Sequence, residues 1–196
     1  ETLHDLGDQL TEAEKKEFLG IANDETDRLT RLVNDVLDLS RLESERVWAF
    51  EPIELPTAIE QTLRTYRLNA DDKGVSLHFD ADPHLPRALG NWDLLLQVFD
   101  NLVGNALAYT PQGSVLVSCR PLAGGGLARI QVWDSGIGIA PEHHTSVFED
   151  YFQVDNPARS NSKGLGLGLH IVDLTARLLG LSVQRLDNAL GWSMVV

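Results

Sequence analysis

The chain has 196 residues, 43% of them hydrophobic, which is enough for a packed core with room for a smaller appendage. With 16 Lys and Arg against 29 Asp and Glu its net charge is −13, which repels nucleic acid and anionic membrane surfaces and excludes either as the main partner. Its one cysteine, Cys119, rules out an internal disulfide and fits a reducing, cytoplasmic setting, and no apolar run approaches the roughly 18 residues of a membrane span.

Residues 1–45 read as helical. Glu1 to Leu6 form the tail of a helix, Gly7-Asp8 breaks it, and Thr11-Glu12-Ala13-Glu14 is a capping box for the next one. Phe18, Ile21, Leu29, Leu32, Val33, Val36, Leu37 and Leu42 then make an apolar stripe on a long amphipathic helix. Such a stripe either lies on its own domain or pairs with a second copy of the chain in a helical bundle. The period changes near residue 45. Val47 to Ile53 alternates like a strand, and Pro56 opens a helix through Ile59, Leu63 and Leu68. Lys73-Gly74 leads into the strand Val75 to Phe79, and Arg87 to Gly90 is a short extended piece. His4, His78 and His84 have no partners at catalytic or ligand spacing, so each is assigned to the surface.

A helix over Trp92 to Tyr109 carries a more informative set. Asp93, Gln97, Asn101 and Asn105 recur every four residues along one border of its apolar arc. Asparagine is a poor residue for a helix interior, so a pair of them on one stripe asks for a reason. One reason is a polar border bonded to backbone or water. The other is a row of neutral oxygens offered by Asn101 and Gln97 to a hydrated Mg²⁺ balanced by phosphates, with Asn105 alongside.

Ser114 to Arg120 and Leu127 to Trp133 alternate as an antiparallel hairpin should. Asp134-Ser135-Gly136-Ile137-Gly138-Ile139 follows directly. An acidic residue at a strand end can accept from the exocyclic amine of adenine while bare glycine backbone lets the flat ring pack close, although Asp-x-Gly-x-Gly also makes ordinary turns. Residues 140–163 are long and polar, with Phe148 and Phe152 four apart: the two aromatics either dock a helical turn on the body or, the preferred reading, anchor a mobile lid carrying Arg159 and Lys163 as phosphate contacts. His143 and His144 are assigned to solvent. Lys163-Gly164-Leu165-Gly166-Leu167-Gly168-Leu169 then opens a helix that Gly180 ends, and glycines at a helix start serve either as a flexible turn or as a phosphate cradle. Leu181 to Leu186 and Trp192 to Val196 close the chain as two more strands.

In order, Asn101-x-x-x-Asn105, Asp134-x-Gly136-x-Gly138, Phe148 with Phe152, and Gly164-x-Gly166-x-Gly168 resemble the N, G1, F and G2 boxes of bacterial two-component sensor histidine kinases. Gly191 with Ser193 is similar to that family's last glycine box, and Leu37 to Glu43 resembles the end of the second helix of its dimerisation and phosphotransfer hairpin. The resemblance covers essentially the whole chain. It implies an α/β fold, a two-layer sandwich of a mixed sheet under three helices, at residues 46–196, preceded by a partial helical hairpin at 1–45. It implies a protein-histidine kinase that binds ATP and Mg²⁺, dimerises through the N-terminal helices, and passes phosphate from histidine to a response regulator receiver domain.

By the same likeness Asn101 ligates Mg²⁺, Asp134 reads adenine, and Asn105 with the backbone of Gly166 to Leu169 holds phosphate. Tyr109, Gly136, Gly138, Ile139, Phe152, Arg159, Lys163, Gly164, Leu165, Leu167, Gly168 and Ser193 complete the nucleotide set. Gln97 stands where the family often has Glu or His, Ala108 where it often has Lys, and Asp150 and Gln153 where it often has Arg, which implies weaker phosphate binding or turnover. The acceptor motif, a His followed by Glu or Asp, Leu, a basic residue, Thr and Pro, is missing, and His4-Asp5-Leu6-Gly7 only echoes it. The expectation is therefore a piece of a longer sensor, reaching a membrane only through a missing N-terminal part, that binds nucleotide without labelling itself. The alternative is a non-catalytic nucleotide-sensing or dimerisation module.

Overall fold

The computed structural model describes residues 10–44, 47–124, 126–149, 151–153, 166–185 and 191–195, of which 185 and 191–195 are described by backbone alone. The first element, α1 (Glu12–Leu42), starts at the capping box read from the sequence: the Thr11 hydroxyl accepts from Glu14 N–H at 3.3 Å and Glu14 Oε2 accepts from Thr11 N–H at 2.8 Å. The carboxyl of Glu14 is held below its usual pKa by the Thr11 hydroxyl, which donates to Oε2 at 2.7 Å, and then by the Thr11 N–H. Only Leu42 of this helix is buried, and Leu29, Val33, Val36 and Leu37 are 48–57% exposed. Apart from Leu42 and the half-buried Leu32, the apolar stripe is uncovered. Arg28, Arg31, Asp35 and Asp38, from another face, border a cleft shared with the rest of the chain.

The body follows as β1 (Glu51–Ile53), α2 (Leu55–Lys73), β2 (Val75–Ala81), β3 (Ala88–Gly90), α3 (Trp92–Tyr109), β4 (Gly113–Pro121) and β5 (Ala128–Asp134). Two 3₁₀ turns at Pro141–His143 and Ser146–Phe148 precede α4 (Gly168–Leu179), β6 (Ser182–Arg185) and β7 (Gly191–Val195). Five strands form one sheet in the order β2-β4-β5-β7-β6; β2 and β4 run parallel and every other pair is antiparallel. The parallel pair requires a crossover, which α3 supplies. Helix α3 lies between α2 and α4, so three helices cover the sheet as the family resemblance implies. Of the segment Val47 to Ile53, only residues 51–53 pair, with Ala88–Gly90. A three-residue partner gives the alternation before it nothing to bond.

The core is a single cluster in which Leu95, Val98, Phe99, Leu102, Val103 and Leu107 of α3 meet Val115, Val117, Ile130 and Val132 of the sheet and Ile171 and Val172 of α4. Fully burying each such side chain contributes about 1.5–3 kcal/mol. Cys119, on β4, is free and completely buried, and that burial pushes its thiol pKa to about 11.

Candidate functional site

The site is built on α3. Asn91 caps it, its side chain accepting from Leu94 N–H at 3.1 Å, and the apolar arc on the sheet side fixes which residues remain at the border: Gln97, Asn101, Gly104 and Asn105, all partly buried. The amide nitrogen of Asn101 donates to the Gln97 carbonyl at 2.9 Å, which fixes the carboxamide with its oxygen turned outward. That oxygen meets the first residue of α4: a Cβ on Gly168 would stand 2.7 Å from Asn101 Oδ1 and 3.6 Å from Asn105 Nδ2. Only a glycine lets the two helices approach this closely. No side chain caps α4, whose N-cap is Leu167, so its leading N–H groups and the positive end of its dipole face the asparagine pair. Thr175 of α4 reaches back to Gln97, its hydroxyl donating to Oε1 at 3.4 Å.

The acidic turn docks on the far end of α3. Asp134 ends β5, one carboxylate oxygen accepts from Gly136 N–H at 2.9 Å, and Ile137 N–H donates to the Tyr109 carbonyl at 3.2 Å. A Cβ on Gly136 would lie 2.3 Å from that Tyr109 carbonyl oxygen and 2.8 Å from Asp134 Oδ1, so the bare backbone is a steric requirement. Burial raises the Asp134 pKa and the Gly136 N–H offsets part of the rise. Gly136→Ala should therefore destabilise the fold by about 1–3 kcal/mol, because its new methyl meets backbone that cannot move aside. A thermal melt of the variant checks this; an unchanged Tm would mean the turn is not docked on Tyr109.

The start of the segment read as a lid from the sequence is tied down by two histidines and an aromatic contact. His144 donates through Nε2 to the Ile139 carbonyl at 2.9 Å, His170 through Nδ1 to the Phe148 carbonyl at 3.0 Å, and the His143 and Phe152 rings lie 5.4 Å apart. The assignment of His143 and His144 to solvent is thus corrected: both are partly buried, because the short 3₁₀ turns fold their rings back over the segment. His170 was not singled out from the sequence, since a histidine one turn into an apolar helix carries no local signal. Gly166, at φ +77°, would clash with the Phe152 carbonyl at 2.4 Å if it had a Cβ, so Phe152, Gly166 and Leu167 form one wall.

These elements enclose a cleft of about 1070 Å³ lined by Gln97, Asn101, Asn105, Tyr109, Phe152, Leu167 and Gly168, roofed by the charged face of α1. It is slightly larger than the about 300–1,000 Å³ usual for small-molecule sites. Asp134, Gly136, Gly138 and Ile139 are not among the residues that line it: the turn that carries them is bonded to the Tyr109 carbonyl, and Ile139 and Leu169 pack against the core. Arg159, Lys163, Gly164 and Leu165 lie outside the described residues, as does Asp150, and Ser193 is described only as the backbone partner of Gln131 and Gln184. Among the described residues, no three acidic, histidine or cysteine side chains form a metal-binding group, and no helix is long and apolar enough to cross a membrane.

Residues 90–194 match the model of the histidine kinase-, DNA gyrase B- and HSP90-like ATPases, and residues 1–45 match the His Kinase A phospho-acceptor domain. Drug sensory protein A of Synechocystis sp. is 49% identical over 88% of this chain and 27% of its own length. The sensor-like histidine kinase SenX3 of Mycobacterium tuberculosis is 37% identical over 76% of the chain and 36% of its own. The chain thus spans about a quarter to a third of the curated relatives it matches. Among solved structures, full-length ShkA in complex with AMPPNP superimposes with a TM-score of 0.75 at 28% identity, covering 97% of this chain and 40% of that one. Histidine kinase AdeS of Acinetobacter baumannii shares the fold, with a TM-score of 0.70 at 20% identity over 95% of this chain and 83% of that one.

Proposed function

The chain belongs to the sensor histidine kinases, and from that premise we propose that it is the ATP-binding kinase core of such a sensor, passing the γ-phosphoryl group of ATP to a histidine for relay to a receiver-domain aspartate. The observation that carries the reading is the seating of Asn101 and Asn105 against Gly168 at the uncapped start of α4. Backbone donors and a helix dipole aimed past two carboxamides make a phosphate site that needs little charged side chain. Asp134, with one oxygen held by Gly136, keeps the other to accept from the adenine amine, and the bare Gly136 to Gly138 backbone lets the ring lie flat. The same reading assigns residues 46–196 to nucleotide binding and residues 1–45 to dimerisation.

Magnesium fits the donor set. The outward Asn101 oxygen is a neutral hard donor of the kind the ion takes, with Gln97 beside it, and when bound the ion would neutralise charge between phosphates. In the transfer, the bond from the γ-phosphorus to the β,γ-bridging oxygen breaks as the imidazole nitrogen bonds to phosphorus. Asn101, Asn105 and the α4 N–H groups hold the phosphates in line, so catalysis comes from positioning and charge neutralisation. Gln97 cannot take a proton; tethered by Thr175, it orients the acceptor. The uncovered stripe of α1 is assigned to a second copy of the chain, and the setting to the cytoplasm, where ATP and receiver domains are found.

The acceptor histidine is absent from this sequence, so it must be supplied for the test. The chain is mixed with radiolabelled Mg-ATP and a separate helical hairpin carrying the acceptor motif. Label on that histidine is expected. Nucleotide binding without label would favour a non-catalytic sensing module, a reading that Gln97 and Ala108 in place of charged groups favour, and absence of binding would overturn both.

A further inference from the structure

A glycine inside a helix costs about 0.5–1 kcal/mol relative to alanine, and Gly104 stands in α3 between Asn101 and Asn105. The space it leaves is filled from α2. A Cβ on Gly104 would lie 2.9 Å from the Tyr66 hydroxyl oxygen and 3.5 Å from Cζ of the same ring. That hydroxyl donates to the Asp100 carbonyl at 3.2 Å. In the helical ladder the Asp100 carbonyl is the one addressed by the Gly104 N–H, so Tyr66 takes the second lone pair of an oxygen one residue before Asn101. Burial, then the Asp100 charge, push the Tyr66 pKa up to about 12 against the opposing pull of Arg31 on α1, so the phenol keeps its proton at neutral pH.

On their other side Asn101 and Asn105 face Gly168. A Cβ there would stand 2.7 Å from the Asn101 oxygen and 3.6 Å from the Asn105 nitrogen, so a small roll of α3 about its axis moves the Asn101 oxygen toward the start of α4 or away from it. Tyr66 bears on the backbone of the turn that joins the two asparagines, from α2.

We propose that Tyr66 is a positioning residue for the nucleotide site: its hydroxyl, seated in the notch left by Gly104, sets the roll of α3 and so the aim of Asn101 and Asn105 at the start of α4. It also lines the cleft, on the α2 side, and the role proposed for it is exerted through the helix. The proposal rests on the nucleotide reading of the cleft.

The test is ADP affinity of the whole chain by calorimetry with magnesium, beside the Tm of each variant. Gly104→Ala places a methyl against the hydroxyl and should weaken binding about 10-fold, whereas Tyr66→Phe, which loses the hydrogen bond but keeps the ring, should weaken it about 3-fold. The double variant discriminates. With the hydroxyl gone the nearest ring atom is at ordinary contact distance, so Gly104→Ala with Tyr66→Phe should bind ADP within about 2-fold of Tyr66→Phe alone, a rescue that independent effects cannot give. A Gly104→Ala chain that binds like wild type, a lower Tm with unchanged affinity, or additive losses in the double variant would each overturn the proposal. Should Gly104→Ala not fold, Tyr66→Phe alone decides, and wild-type affinity in it overturns the proposal. A wild-type chain that binds no ADP overturns the nucleotide reading itself, and this inference with it.

Discussion

Asn101→Ala is expected to slow phosphoryl transfer to a supplied acceptor histidine by on the order of 10²-fold, while the fold is untouched. The substitution removes the outward oxygen beside Gly168 and one side-chain bond, the 2.9 Å contact to the Gln97 carbonyl. The Gln97 carbonyl keeps its ladder partner, and alanine is the better helix former by about 0.5 kcal/mol or more, so the Tm should hold or rise. A rate measured on the folded variant therefore reports the oxygen and not the scaffold. Label transferred at the wild-type rate would reduce Asn101 to a polar border residue bonded to its own helix, the other reason its sequence position allowed.

Asp134→Asn should weaken ADP binding about 10–100-fold, because hydrogen bonds to a charged group contribute about 1.5–3 kcal/mol. In the wild type one oxygen faces the Gly136 N–H. An asparagine that keeps this bond turns its own NH₂ toward the adenine amine, donor against donor. The pH dependence has two opposite arms. Burial raises the folded pKa of Asp134 above its usual 3.8, and the Gly136 N–H cancels only part of that rise. Nucleotide affinity, which needs the carboxylate, is complete above the raised value and is lost as the pH falls through it. Stability runs the other way, since the folded chain binds this proton more tightly than the unfolded one: its contribution is present below 3.8 and is lost as the pH rises through the folded pKa. Asp134→Asn should thus melt at or above the wild-type Tm at neutral pH while binding poorly. A variant that loses affinity and Tm together would mark Asp134 as structural.

Much of this was legible where a residue's reason is local. The capping box at Thr11 and Glu14, the bounds of α3 and the β4–β5 hairpin all follow from patterns within a few residues, and each stands where the sequence puts it. The asparagine border was legible for the same reason: a four-residue repeat is a face of a helix. What escaped depends on partners far away in the chain. The parallel pairing of β2 with β4 needs α3 between them, and nothing in Val75 to Ala81 names its neighbour. Gly104 was passed over although a lone glycine between two asparagines is a signal, because its explanation, Tyr66, lies 38 positions earlier and becomes visible only when α2 and α3 pack. The histidines at the lid base failed similarly: their acceptors are backbone carbonyls, which no side-chain pattern announces.

The position of Cys119 has a practical consequence. A thiol with no exposed surface and a pKa pushed to about 11 is closed to maleimide dyes, and it is the chain's one cysteine. A pair of cysteines introduced on α1 and on the outer face of α2 would take donor and acceptor fluorophores without first mutating the native thiol. Energy transfer between them would then report, molecule by molecule, the distance between the long helix and the body with and without nucleotide.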